Sequence, residues 1–235
     1  TLVDLAADDG RIMLVVGDLG FGNAESFAER YPDQFVNAGV AEQSMTGMAA
    51  GLALSGHIVF TYSIGNFPTL RCLEQIRNDV CYHNANVKIV AVGGGLVYGA
   101  LGSTHHLTED LAIMRVLPNL LVVAPGDPAE VVAATRAVVE HQGPCYLRLG
   151  RSGEPSVHGG TPPFKIGKAL LVRQGSDVTL VATGGILAAA VRVAERLAAE
   201  RIEARVLSMH TLMPLDVESI HAAARDTGAI VTLEE

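Results

Sequence analysis

The sequence predicts an α/β protein that begins with a doubly wound, mostly parallel sheet and continues into a second α/β domain. The first observation is a set of continuous apolar runs, which suit strands of a parallel sheet covered by helices on both faces. The second is that segments of helical character separate these runs, an alternation typical of doubly wound sheets. The third is that polar and glycine-rich segments follow several of the runs, where such folds bind their ligands.

The first strand is expected at residues 11–16, an unbroken apolar run that ends in Gly17-Asp18. Helices are expected at residues 67–83 and 128–141, and the second of them has Asp127 as its N-cap and a proline in its first position. The other strands of the first part share the same apolar character and are expected at residues 58–62, 87–92, 120–123 and 145–148.

Glycine and proline punctuate residues 152–165, which predicts a linker. We therefore divide the chain into a first domain at residues 1–152, a linker at 153–167 and a second domain at 168–235. The second domain has only the few predicted strands given below, which without further partners would leave apolar surface uncovered, so we expect this domain to be truncated. Residues 1–6 likewise look like the tail of a helix. The second domain is expected to have strands at 169–172, 178–182, 204–208 and 229–233 and helices at 187–200 and 217–225.

Composition indicates a sizeable buried core and argues against several classes of partner. The chain has 235 residues, of which 49% are hydrophobic, and a formal net charge of -8 without a basic cluster, so a nucleic-acid partner is not expected. Nothing resembles a signal peptide and no apolar run reaches the roughly 18 residues of a membrane span, so we expect a cytoplasmic protein without membrane contact. Cys72, Cys81 and Cys145 are irregularly spaced and are expected to be reduced thiols of the core.

Glu42 is the most informative residue for function, because it opens an uncharged segment built from Gly, Ala and Met. That segment can form a helix packed closely against its neighbours, with the glutamate in the first turn. Burial disfavours the charged form of a carboxylate whereas a helix N-terminus favours it, and a group poised between these influences can share a proton with a bound base. The alternative is an acid that only complements the helix dipole.

Several short motifs, all in the same order, resemble the transketolase family. Together they are more specific than any one of them. The resemblance covers about residues 10–155 as the pyrimidine-binding domain of a thiamine diphosphate enzyme, and more loosely the remainder as the family's C-terminal domain. The motifs are Val40-Ala41-Glu42-Gln43, Leu73-Glu74-Gln75-Ile76-Arg77-Asn78-Asp79, Gly102-Ser103-Thr104-His105-His106, Leu117-Pro118-Asn119 with Val123-Ala124-Pro125-Gly126-Asp127, and Leu147-Arg148-Leu149-Gly150-Arg151.

The resemblance implies that Glu42 hydrogen-bonds the aminopyrimidine of thiamine diphosphate and so activates the cofactor, which then moves a two-carbon ketol unit from a ketose phosphate to an aldehyde. It also implies that His105 faces the cofactor and the donor sugar, where an imidazole can hydrogen-bond to developing negative charge. Arg151 matches an arginine that grips the sugar phosphate. Asp18 lies where the family also has an acid, and the resemblance implies that it is a cofactor-binding residue. The alternatives are that His105 is a solvated loop histidine and that Asp18 is a simple helix or turn cap. For Arg148 and Arg151 the alternative is a pair of strand-end charges facing water.

Two departures from the family pattern concern cofactor and substrate contacts. Where the family has a phenylalanine that stacks on the aminopyrimidine, this chain has Gly65, so Phe67 or Tyr62 is expected to supply the ring. Phe67 could instead be a core residue. Where the family has an acid that binds a sugar hydroxyl, this chain has Leu101, and we therefore expect an unusual sugar specificity.

The segment Gly17-Asp18-Leu19-Gly20 is not the Gly-Asp-Gly motif through which the family binds Mg²⁺ and the diphosphate. The resemblance then implies a split transketolase, with this chain as the C-terminal subunit, a separate N-terminal subunit holding Mg²⁺, and a dimer of heterodimers. The helix after Glu42 is expected either to contact another subunit or to pack within its own domain. Two other functions stay open: a beta-type subunit of a 2-oxo acid dehydrogenase or a deoxyxylulose phosphate synthase-like enzyme, and a non-catalytic subunit.

Overall fold

The computed structural model describes residues 1–20, 22 and 24–235, and these residues form two compact units. The first unit comprises Thr1–Val122 and Val138–Arg148, and the second comprises Val123–Ala137 and Leu149–Glu235. Residues 150–169 form neither helix nor strand. The domain boundaries expected from the sequence stay a prediction.

The first unit is built on a mostly parallel sheet, as predicted. Its strands lie in the order β5-β6-β4-β3-β1-β2, and the neighbours β2/β1, β1/β3 and β3/β4 are parallel. The chain runs from β1 to β2 on one side and then returns to β3 on the other side, so the connections diverge beyond β1 and β3 and create the crevice where such folds bind ligands. The strands are β1 (Ile12–Val16), β2 (Phe35–Asn37), β3 (Ile58–Ile64), β4 (Val87–Val92), β5 (Leu121–Val123) and β6 (Cys145–Leu149).

The helix expected at residues 67–83 is broken into three kinds of turn. It starts as the 3₁₀ turn Leu70–Cys72, and residues 67–69 before it form a turn in which Thr69 Oγ1 donates to Gly65 O. It ends as the π-helical turn Ile76–Cys81, and such turns are frequent at functional sites. The helices of this part of the chain are α1 (Leu2–Asp8), α2 (Glu25–Arg30), α3 (Glu42–Leu54), α4 (Leu73–Gln75), α5 (Asp110–Met114) and α6 (Pro128–Glu140).

The second unit has a four-stranded sheet in the order β11-β8-β9-β7. Strand β8 is parallel to β9 and β11, whereas β7 is antiparallel to β9. A small-residue face of α7, including Ala190 and Ala194, packs in one core cluster with Leu180 and Val206. The elements are β7 (Leu170–Arg173), β8 (Val178–Ala182), α7 (Leu187–Ala199), β9 (Ala204–Ser208), β10 (Thr211–Met213), α8 (Val217–Asp226) and β11 (Ile230–Leu233).

The three cysteines are free and buried, as the sequence predicted. Burial raises the pKa of Cys81 and of Cys145 to about 12, so both thiols stay protonated near neutral pH. None of the described helices, the longest of which have 13 residues, has the length and hydropathy needed to cross a bilayer.

Candidate functional site

Glu42 lies at the point where the strand connections diverge. It is the first residue of α3 and is 1% exposed. Ser63 Oγ, near the carboxyl end of β3, donates to Glu42 Oε1 over 3.4 Å. A Cβ atom placed on Gly17, which follows β1, would lie 3.5 Å from the same oxygen. The carboxylate therefore faces the carboxyl ends of both strands, where ligands of such sheets collect.

Arg71 is a partner of Glu42 that the sequence did not indicate. Its Nη1 donates to Glu42 Oε2 over 2.8 Å, and its side chain is 46% exposed while that of the glutamate is buried. The two carboxylate oxygens consequently differ. Oε2 is held by a charge-assisted hydrogen bond, whereas the long hydrogen bond from Ser63 leaves Oε1 with lone-pair capacity for a ligand.

Phe67 and His105 continue the same group of side chains. Arg71 Cζ lies 4.7 Å from the centre of the Phe67 ring, and the Phe67 and His105 rings meet edge to face with their centroids 5.2 Å apart. Thr104 Oγ1 shares a 3.0 Å hydrogen bond with His105 Nδ1. The structure thus brings three residues singled out in the sequence together with Arg71. We call this group, which consists of Glu42, Arg71, Phe67 and His105, the Glu42 cluster.

Tyr62 lies on the opposite face of β3 from this cluster. Successive strand side chains point to opposite faces, so Tyr62 points away from the face on which Ser63 contacts Glu42. Burial, followed by the nearby Tyr98, raises the pKa of the Tyr62 phenol. Of the two rings that the sequence left open, Phe67 is therefore the one linked to the Glu42 carboxylate, through Arg71.

Asp18 joins the ends of β1 and β2 through Asn37. Asn37 Nδ2 donates to Asp18 Oδ1 over 2.9 Å, and Asp18 N donates to Asn37 Oδ1 over 3.2 Å. The backbone of Asp18 is left-handed, with φ of 56°, a conformation that Asp tolerates better than most residues. These contacts are those of a turn residue next to Gly17, which flanks Glu42.

The two arginines near the end of β6 have different environments. Arg148 is buried on β6, and its Nε lies 3.0 Å from Asp110 Oδ2. The alternative in which Arg148 is a strand-end charge facing water therefore does not hold, and the Asp110 carboxylate compensates the burial of its charge. Arg151 is exposed in the second unit, two residues beyond the end of β6.

A polar cluster in the second unit could supply three metal-ligand atoms within 4.8 Å of one another, from Asp127, Glu130 and His158. Its carboxylates already accept hydrogen bonds within the protein. Asp127 Oδ1 caps α6 by accepting from Glu130 N, as predicted, and Asp127 Oδ2 accepts from the backbone of Val157 and His158. Glu130 Oε1 lies 2.9 Å from His158 Nε2. The cluster thereby fastens residues 157–158 to the start of α6.

Gly65 and Leu101, the two departures from the family pattern, differ in how closely other side chains surround them. A Cβ atom placed on Gly65 would lie only 2.1 Å from Leu107 Cδ2, so the Leu107 side chain occupies the space that a larger residue at position 65 would need. Leu101 lies in the connection between β4 and α5 and is 58% exposed.

Comparison with protein-family models gives two consecutive matches. Residues 1–155 match the model described as "Transketolase, pyrimidine binding domain". Residues 167–235 match the model described as "Transketolase, C-terminal domain".

Two curated relatives are similar to this chain over nearly all of its length. A subunit of the apulose-4-phosphate transketolase of Phocaeicola vulgatus is 40% identical over 237 residues, covering 100% of this chain and 76% of the relative. The 6-deoxy-6-sulfo-D-fructose transketolase subunit SqwH of a Clostridium species is 39% identical over 234 residues, covering 99% of this chain and 73% of the relative.

A solved structure is similar over the whole chain. It is described as a split gene transketolase, an inactive beta4 tetramer. It superposes with a TM-score of 0.91 at 42% identity, covering 100% of this chain and 76% of that one.

Proposed function

This chain belongs to the transketolase family, as a subunit of the split and thiamine diphosphate-dependent type, and we propose that Glu42 is the acid through which it activates the cofactor. The observation that carries this proposal is a buried carboxylate at the ligand-binding edge of the sheet, with Oε2 held by Arg71 and Oε1 left for a ligand. Relatives that match over about three quarters of their length are transketolase subunits, which favours this function over the dehydrogenase and synthase alternatives.

The residues of the Glu42 cluster fit the aminopyrimidine half of the cofactor. Glu42 would share a proton with a ring nitrogen through Oε1, the carboxylate oxygen that lies beside Gly17. Phe67 would offer the aromatic face on which a heterocycle stacks, and His105 would donate a hydrogen bond to negative charge on the substrate. When bound, thiamine diphosphate supplies the carbanion that carries the two-carbon unit.

Arg71 sets the orientation of the carboxylate. The Glu42 side chain is buried, and its carboxylate contacts the Arg71 guanidinium at the N-terminus of α3. Because Arg71 binds only Oε2, proton exchange with a ligand is confined to Oε1. A buried acid held in this way can move a proton without rotating between its two oxygens.

We expect Arg71→Met to lower kcat on the order of 100-fold, since the carboxylate would lose its orientation while the apolar part of the side chain is kept. The measurement is kcat of the complex reconstituted with the partner subunit. Arg30→Met, at the exposed end of α2, is the matched control and should retain wild-type kcat. Wild-type kcat in the Arg71 variant would show that the ion pair has no part in catalysis.

The proposed complex contains a separate N-terminal subunit that holds Mg²⁺ and the diphosphate, and pairs as a dimer of heterodimers. The description of similar chains as transketolase subunits supports a partner, and the similar tetramer built only of beta chains is described as inactive. The proposed substrates are ketose phosphates or similarly anionic ketoses, with Arg151 as the residue that binds the anionic group. Asp18 supports the turn beside Gly17.

Ketol transfer by the reconstituted pair tests this function. We expect the two chains together, but neither alone, to cleave a ketose donor and pass two carbons to an aldehyde. Apulose 4-phosphate, 6-deoxy-6-sulfofructose and xylulose 5-phosphate form the donor panel. Formation of deoxyxylulose phosphate from pyruvate and glyceraldehyde 3-phosphate, with release of carbon dioxide, would instead establish the synthase alternative. Absence of turnover with every donor, in a complex shown to bind the cofactor, would favour a non-catalytic subunit.

A further inference from the structure

Arg148 on β6 and Asp110 on α5 form a buried ion pair in the first unit. The side chains of Arg148 and Asp110 are 1% and 0% exposed, and Arg148 Nε lies 3.0 Å from Asp110 Oδ2. Tyr146 OH donates to the same oxygen over 2.5 Å. Burial raises the pKa of the Asp110 carboxyl, while the Arg148 charge and the Tyr146 hydrogen bond lower it. Replacing such a pair by apolar groups is often neutral for stability or stabilising, so stability alone does not account for it.

The guanidinium of Arg148 contacts the connection between β4 and α5 at both of its ends. Arg148 Nη2 donates to Leu107 O over 3.0 Å. At the other end, a Cβ atom placed on Gly94 would lie 2.7 Å from Arg148 Cζ, so the guanidinium fills the space beside this glycine. The arginine therefore determines how closely the two ends of the connection approach β6.

Leu107 links this connection to the segment that carries Phe67. Its backbone forms two hydrogen bonds with Gly95, Gly95 N to Leu107 O over 2.8 Å and Leu107 N to Gly95 O over 2.9 Å. Its side chain is fully buried and fills the space beside Gly65, two residues before Phe67. His105 lies two residues before Leu107. A displacement of Leu107 would thus move both aromatic rings of the Glu42 cluster.

We propose that Arg148 is a positioning residue, which through Leu107 fixes the relative placement of Phe67 and His105. Asp110 and Tyr146 hold the guanidinium in the required orientation. This inference rests on the proposed function of the Glu42 cluster, and it adds that the geometry of the cluster is set from β6 and α5, outside the cluster itself.

The double variant Arg148→Met with Asp110→Asn tests the proposal, because it removes both buried charges together and leaves neither unpaired. In the reconstituted complex we expect kcat to fall about 10- to 100-fold at an unchanged unfolding temperature. The His105 ring proton resonance, assigned from its absence in His105→Ala, should shift, since its position depends on the Phe67 ring current. The control is Arg11→Met with Asp9→Asn, an exposed ion pair at the other end of β1, which should change neither quantity.

Tyr146→Phe is the milder second variant, because it removes only the hydroxyl that holds Asp110, and it should shift the same resonance in the same direction. An unchanged resonance in both variants would overturn the positioning role, whatever their activity. The two roles can also be separated. If the double variant and Tyr146→Phe shift the His105 resonance but His105→Ala retains wild-type kcat, the positioning role stands and the function assigned to His105 fails. When it is added to His105→Ala, the double variant should lower kcat by a smaller factor than it does in the wild-type chain.

Discussion

Glu42→Gln in the reconstituted complex is expected to lower kcat by about 10² to 10⁴, which is the usual contribution of a group that transfers a proton during catalysis. The amide keeps the size and shape of the side chain and can still accept a hydrogen bond, but it cannot exchange a proton at Oε1. The measurement is steady-state turnover as a function of cofactor concentration, which gives kcat at saturation and the KM for the cofactor separately, so that weaker cofactor binding does not contribute to the loss in kcat.

The exposed Glu29→Gln on α2 is the matched control and should have wild-type kcat. Glu42→Gln should fold normally, since it removes a buried charge; the amide oxygen can still accept from Arg71. Activity near the wild-type level in a correctly assembled Glu42→Gln complex would remove this carboxylate from the mechanism. A loss confined to KM for the cofactor would show that Glu42 binds the heterocycle without activating it.

The second large effect concerns cofactor binding by the isolated chain. We expect calorimetry with thiamine diphosphate and Mg²⁺ to show little heat for this chain alone, and at least about 100-fold tighter binding once the partner subunit is added, a difference of about 2.7 kcal/mol. The reason is that the contacts we propose for the Glu42 cluster reach only the aminopyrimidine. The segment Gly17-Asp18-Leu19-Gly20 lacks the pattern for Mg²⁺ and the diphosphate, and Asp18 is engaged with Asn37.

The partner alone and the partner mixed with the Glu42→Gln chain are the controls for this titration. The partner alone should bind weakly, and the variant complex should bind Mg²⁺ and the cofactor because the diphosphate contacts are intact. Tight, Mg²⁺-dependent binding by the single wild-type chain would contradict the division of the site between two subunits.

The sequence predicted the parallel sheet because its buried strands are continuous apolar runs, which tertiary contacts do not override. It did not predict β2 (Phe35–Asn37), whose three residues are partly exposed. This strand exists because it pairs with β1 in the register Leu14 to Phe35, a long-range contact that has no periodic signature. The sequence also predicted one regular helix at residues 67–83, whereas the structure has 3₁₀, α and π turns there.

Within the candidate site, Glu42 could be found because it opens an uncharged segment of small residues and lies in a family motif. His105 could be found because it lies in another such motif, and Phe67 because it is the aromatic residue that follows Gly65, where the family has its ring. Arg71 could not, since its ion pair spans 29 residues in the chain and its position on a turn of the broken helix depends on where that helix starts. The sequence alone could partly decide between Phe67 and Tyr62. Tyr62 and Ser63 are neighbours on one strand, so their side chains must point to opposite faces of the sheet.

The departure at Gly65 illustrates a limit of motif comparison. From the sequence it looks like a missing aromatic ring, whereas in the structure Leu107 occupies the space beside it. The compensating residue lies far along the chain and on another loop, so no local pattern could reveal it. The burial of Arg148 could not be predicted for the same reason, since its partner Asp110 lies far away in the sequence, on α5.

The most direct test of Glu42 as the activating acid is the structure of the reconstituted complex with thiamine diphosphate and Mg²⁺. We predict that Glu42 Oε1 lies within hydrogen-bonding distance, about 2.6 to 3.2 Å, of a ring nitrogen of the aminopyrimidine, while Arg71 still holds Oε2. A carboxylate turned away from the heterocycle, with its place beside the ring taken by another acid, would contradict this assignment.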